Sequence, residues 1–384
     1  MARSRETPRK PSQEHSVPWF WPMAAGIELA DEGMRLASDN MRFAAAASAL
    51  EAPPPPTWAT HNEVLLDLPT MRLRDFSRSK SAQVPVLVDT PYAGHSSTIA
   101  DYEKGQSLVE TLLENGLHRV LATDWKSATD EMKHFDIDTY LAELCVAVDD
   151  LGGRVDLVGL CQGGWMSAMF AARFPGKVAS LVLAGAPIDT DAGKGAVREF
   201  AHATPMSFFE EIVAAGGGRM LGRMMLAGWK NMHPGEQYLG KYLDLYEHIE
   251  DKSYVQRTER FERWYENPID LPGKWYLQAI REIFRENRLA KGEFVALGRK
   301  IPLREIQVPV YLLAGEADDI TTKEQVFDAE RLFGTPKERI VKKLVPGGHI
   351  GLFMGSRTLR LAWPEIASWI RHHGDRTPRS APFA

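Results

Sequence analysis

The sequence predicts an α/β fold, with a mostly parallel central sheet flanked by helices, a helical insertion late in the chain and helical material ahead of it. Three observations carry this. Short, mainly apolar runs at Val84–Val88, Val155–Leu160, Val178–Ala184 and Val308–Ala314 alternate with longer helical stretches, the pattern of strands buried on both faces and joined by helical crossovers. The alternation stops over residues 190–303, where Met and aromatic residues replace β-branched runs. The run at 155–160 ends in a tight turn of small residues around Cys161.

In chain order, residues 1–17 are polar and rich in Arg, Lys and Pro, and read as a disordered leader. Trp19-Phe20-Trp21 opens an amphipathic helical stretch over 18–51, which either packs on its own domain or lies on an apolar surface. Pro53–Pro56 form a stiff spacer. Residues 64–68 and 71–76 suggest an antiparallel pair. A strand at 84–88, a helix over 102–115, a strand at 119–123, a helix over 136–151 and strands at 155–160 and 178–184 follow. After the insertion come strands at 308–314 and 340–345 and a last helix over 361–372. The division expected is an N-terminal extension (1–62), an α/β core (63–189 and 304–373), a helical cap (190–303) and a tail (374–384). Most cap aromatics are expected to form the cap's own core, and some to line an apolar channel.

Composition excludes several classes. With 46 Lys+Arg against 51 Asp+Glu, the net charge of −5 argues against a global basic field for nucleic acid. Two cysteines exclude a disulfide scaffold and an all-cysteine metal site. The eleven histidines show no metal-ligand spacing, and no phosphate-binding glycine loop follows a strand. No metal and no cofactor are expected. No signal peptide and no run of eighteen apolar residues is seen, so a cytoplasmic protein without a transmembrane segment is expected.

Gly159-Leu160-Cys161-Gln162-Gly163-Gly164 has the form of a nucleophile elbow with Cys in place of Ser. Glycines flank the nucleophile because its strained backbone leaves no room for side chains. The helix behind it favours a thiolate and offers N–H groups to an oxyanion. A buried structural Cys is the alternative. The α/β-hydrolase fold places its acid and base after later strands. Asp318, with Asp319 competing, follows the run ending at Ala314, and His349 follows 340–345. The order Cys161, Asp318, His349 fits nucleophile, acid and base. A second oxyanion N–H is expected from Tyr92 or Ala93, beside that of Gln162. His95 and Trp125, at the same rim, are accessory candidates that can equally serve to shape loops. Cys145 reads as a core helix position.

At these residues the chain resembles the polyhydroxyalkanoate synthases and the intracellular polyhydroxyalkanoate depolymerases, related cysteine enzymes of the α/β-hydrolase fold. The box at 159–164 and Pro346–Gly351 resemble the short two-subunit synthases. Residues 91–98, 123–125, 270–277, 315–320 and 351–357 resemble the depolymerases. Those carry Gln-Pro after the nucleophile, where this chain has Gln162-Gly163. The resemblance implies a Cys161–His349–Asp318 triad that hydrolyses poly(3-hydroxyalkanoate) or its oligomers through a cysteine acyl-enzyme. The alternatives are a synthase polymerising 3-hydroxyacyl-CoA with the same triad, and a non-catalytic granule-binding protein. The implied partners are a polyester polymer or granule surface, or 3-hydroxyacyl-CoA for a synthase. A homo-oligomer is left open.

Overall fold

In a computed structural model, the described residues are 35–36, 38–47, 49–50, 53–79, 83–232 and 241–373. The leader, Trp19-Phe20-Trp21 and the tail lie outside them.

Eight strands form one sheet: β1 (Glu63–Asp67), β2 (Met71–Asp75), β3 (Val86–Asp89), β4 (Val120–Trp125), β5 (Val155–Leu160), β6 (Val178–Ala184), β7 (Val310–Gly315) and β8 (Ile340–Val345). Their order is β1-β2-β4-β3-β5-β6-β7-β8. β1–β2 and β2–β4 pair antiparallel, and every other neighbour is parallel. This is the mostly parallel sheet expected. β3, β5, β6 and β7 are buried at every residue, which is why each reads as a mainly apolar run; the polar residues inside β5 and β6, Asp156 and Ser180, bond to each other at 2.6 Å.

Helices cover both faces. α1 (Leu108–Glu114) and the last helix (Trp363–His373) bury Leu112, Trp363 and Ile366 on one side. α2 (Ile137–Asp150) and α3 (Gln162–Arg173) bury Leu141, Leu144, Trp165 and Phe170 on the other. The helix expected over 102–115 starts only at Leu108. Gly105 takes φ +77, and the Ser107 hydroxyl caps the helix by accepting from Glu110 N–H at 2.9 Å.

The insertion between β6 and β7 is helical, and its parts have different destinations. α4 (Ala196–Ala203), α5 (Met206–Ala215) and residues 271–301 join the main core. Trp275 is fully buried there, stacked at 5.8 Å on Trp165 of α3. Its aromatics are therefore not a core of the insertion's own. A separate roof is made by α6 (Gly222–Met232), α7 (Lys241–Glu247) and α8 (Lys252–Tyr265). Residues 38–47 and 49–50 are helical and dock on it, with Ala46 and Leu50 buried against Leu245 and Ile249. The Pro53 and Pro54 carbonyls each accept from Asn267 Nδ2 at 3.1 Å, so the polyproline stretch is held against the roof.

Two glycines decide where β5 turns into α3. A Cβ on Gly159 would meet Gly164 Cα at 2.6 Å, and one on Gly163 would meet the Asp89 carbonyl oxygen at 2.1 Å. Gly163→Ala should therefore destabilise the protein by about 1–3 kcal/mol or more, read as a lowered urea midpoint. An unchanged midpoint would show that the helix can move off β3 at no cost.

Candidate active site

Cys161 caps α3 with φ 51 and ψ −114, a strained conformation for a residue with a Cβ. Its N–H donates to the Ala184 carbonyl at 2.9 Å, and its own carbonyl accepts from Gly164 N–H at 2.9 Å. The turn is thus fixed from both sides, with the sulfur at the C-terminal edge of the sheet.

The structure brings Cys161, His349 and Asp318 together from three strand ends. They are 8%, 6% and 6% exposed, enough seclusion to strengthen every charge interaction among them. His349 Nδ1 donates to Asp318 Oδ2 at 2.8 Å. Asp318 Oδ1 accepts from the N–H groups of Ile320 (3.1 Å) and Thr321 (2.8 Å). Between Asp318 and Asp319, only Asp318 holds the imidazole. Asp319 is exposed and lines the cavity mouth, and its carbonyl accepts from Ala196 N–H at 2.8 Å.

Burial by itself pushes the His349 imidazole toward the neutral form. The charge interactions with Cys161 and Asp318, and a hydrogen bond to each, outweigh it and raise the group to about 10. An imidazole held charged at neutral pH beside a sulfur is what a thiolate–imidazolium pair requires.

A cavity of about 340 Å³ opens over Cys161. Its wall is largely carbon, with Ile99, Ile350 and Phe353 from the core and Phe261, Trp264 and Tyr265 from α8. The last three were not singled out together from the sequence, although their i, i+3, i+4 spacing marks one helix face. Ile99, Ile350 and Phe353 carry no comparable sequence signal.

The remaining candidates fall as follows. Gln162 supplies the first N–H of α3, one of the donors a helix leaves unpaired. Ala93 borders the cavity, whereas the Tyr92 phenol turns into the core and donates toward the Lys126 and Asp270 carbonyls. Trp125 supports the loop after β3 from behind, its Nε1 donating to the Thr90 carbonyl at 2.9 Å. His95 lines the cavity stacked on Trp264 and Tyr265, and its Nε2 donates to the Tyr265 carbonyl at 3.2 Å. Burial pushes His95 down to about 4, against the opposing pull of the Tyr265 carbonyl and Glu266. That leaves it neutral and suited to packing. Cys145 is half-buried at the edge of the core, packed against it rather than inside it, with its sulfur 3.7 Å from Asp149 Oδ2. Among the described residues no cluster of three or more His, Cys, Asp or Glu could hold a metal, and no helix is long and apolar enough to cross a membrane.

Comparison with known proteins places this geometry. A family model described as Protein of unknown function (DUF3141) matches residues 68–356. The chain belongs to this family. Curated relatives of the chain bear the resemblance seen in the motifs. The poly(3-hydroxyalkanoate) polymerase subunit PhaC of Haloferax mediterranei is 29% identical over 338 residues, covering 84% of this chain and 66% of the relative. The protein of the same name from Haloarcula marismortui is 30% identical over 292 residues, covering 74% and 59%. The chain thus spans about two thirds or less of these two relatives. Among solved structures, a monoacylglycerol lipase from Paleococcus ferrophilus matches with a TM-score of 0.50 at 17% identity, over 79% of this chain and 99% of that one, a likeness of fold. This DUF3141 member therefore has the α/β-hydrolase fold and is similar in sequence to poly(3-hydroxyalkanoate) polymerase subunits.

Two outcomes follow from the geometry. Asp318→Asn should lower turnover on the order of 10³–10⁴-fold, because it no longer fixes the imidazole tautomer or balances its charge, while Asp319→Asn should cost little. Kinetics of both variants decide it, and equal losses would contradict the pairing seen here. For His95 the folded group takes its proton near 4 and the unfolded one near 6.5. The unfolded state binds more protons in that window, so stability falls as pH drops from about 6.5 toward about 4. His95→Gln should flatten this part of the profile in urea unfolding at neutral and mildly acid pH.

Proposed function

We propose that this chain is a cysteine acyltransferase of the poly(3-hydroxyalkanoate) polymerase type, which moves a 3-hydroxyacyl group from coenzyme A to a hydroxyl through Cys161. The observation that carries the reading is the enclosure of Cys161 and His349 beneath an aromatic, carbon-lined cavity. Such a wall admits an acyl chain and disfavours water, which a polymerising acyl-enzyme must exclude. The names of the curated relatives support the same direction. So does Gly163: its backbone has no room for the ring that the depolymerases' Gln-Pro box carries.

The Cys161 thiolate attacks the thioester carbonyl. The oxyanion is held by the N–H groups of Gln162 and Ala93, and its collapse expels the coenzyme A thiolate, which takes the His349 proton. The neutral imidazole then removes a proton from a 3-hydroxyl group, whose oxygen attacks the acyl-thioester. An ester forms, Cys161 leaves as thiolate and the proton stays on His349. Asp318 keeps the imidazole oriented and offsets its charge. Water in place of the hydroxyl would turn the same steps into depolymerisation, the direction resembled by residues 91–98, 315–320 and 351–357. A cysteine whose charge interaction helps keep a buried histidine protonated does not favour the non-catalytic granule-binding reading.

With 3-hydroxybutyryl-CoA the protein should release coenzyme A together with growing polymer, and with amorphous granules it should release little acid. Cys161→Ala should abolish both activities. Acid from granules without coenzyme A release would replace this reading with the depolymerase.

A further inference from the structure

Four consecutive residues of the loop after β3 each make a hydrogen bond to residues 222–232 or 241–269, which roof the cavity. The Ala93 carbonyl accepts from Trp229 Nε1 at 3.3 Å, and the Gly94 carbonyl from Ile269 N–H at 2.9 Å. His95 Nε2 donates to the Tyr265 carbonyl at 3.2 Å, and the Ser96 carbonyl accepts from Trp264 Nε1 at 3.0 Å. The His95 ring lies at 4.7 Å and 5.1 Å from the Trp264 and Tyr265 rings, close to parallel with both.

The ends of the same loop are fixed differently. Thr90 N–H donates to Thr123 Oγ1 at 2.9 Å, and the Thr90 carbonyl accepts from Trp125 Nε1 at 2.9 Å. The Ser97 hydroxyl accepts from Trp125 N–H at 3.0 Å. The core therefore holds the ends, and the roof holds the middle, where Ala93 borders the cavity and Gly94 turns with φ +86. A loop with glycine at its bend has little stiffness of its own, so its middle is positioned by what grips it.

We infer that Trp229 and Trp264 are positioning residues for catalysis: through the carbonyls of Ala93 and Ser96 they set where the Ala93 N–H points, so that the roof completes the oxyanion hole. This rests on the reading of Cys161 as an acyl-accepting nucleophile. An oxyanion donor acts only at close range and correct angle. Loss of one costs on the order of 10²–10³ in kcat, and a shift of about 1 Å costs roughly 10²-fold. Neither indole needs to touch the reacting atoms for this.

The test uses Trp264→Phe and Trp229→Phe in the full chain, which keep a ring and remove the N–H. The second, at a half-buried site, serves if the first fails to fold. Three quantities are read: kcat and KM with an acyl thioester, the rate at which iodoacetamide alkylates Cys161, and amide hydrogen exchange at Ile269 and residues 93–97. Alkylation passes through no oxyanion, since the thiolate displaces iodide from carbon, so it reports the Cys161–His349 pair alone. The expected result is a loss in kcat of roughly ten- to a hundredfold with KM changed by less than about threefold. Alkylation should be unchanged, and exchange at Ile269 faster. An unchanged kcat overturns the inference, and so does a loss mirrored in the alkylation rate. If the wild-type protein is alkylated but turns over no acyl ester, the proposed function fails by itself. Exchange then decides the clamp, and unaltered protection at Ile269 in both variants overturns it.

Discussion

Everything at this site depends on how closely α3 approaches the end of β3. The Asp89 carbonyl oxygen sits where a side chain on residue 163 would begin. That contact lets the chain reverse within one residue at Cys161, and the strain is tolerated because backbone hydrogen bonds to Ala184 and from Gly164 over-determine the turn. Asp89 itself is fully buried, and burial raises its carboxyl well above the usual carboxylate range, against hydrogen bonds from Ser167 and Thr123.

What could be read from the sequence follows from this physics. Strands buried on both faces have to be mainly apolar, so β3, β5, β6 and β7 announce themselves. A strained nucleophile has to be flanked by small residues, so Cys161 does too. Asp318 and Asp319 cannot be separated by spacing. What separates them is that two N–H groups of the following turn hold one oxygen of Asp318 and leave the other for His349.

The insertion was harder to read, because a buried tryptophan looks the same whichever core it enters. Trp275 stacks on Trp165 and belongs to the sheet's own core, while Trp264, eleven positions earlier, roofs the cavity. Only the fold separates the two destinations. The docking of Pro53 and Pro54 on Asn267 was equally silent, since a carbonyl acceptor leaves no mark on residue identity. The spacer read as stiff is tied down as well.

The roof holds one more device. Lys230, at the end of α6, meets Glu266 at 2.6 Å, and Lys241, at the start of α7, meets Glu262 and Glu266 at 2.9 and 3.2 Å. All four side chains are at most 16% exposed, so removing one partner would strand a secluded charge. Glu266 is shared by both lysines, so the end of α6 and the start of α7 meet at one carboxylate beside α8. A change of charge at that single position would loosen two helices of the roof over Cys161 together.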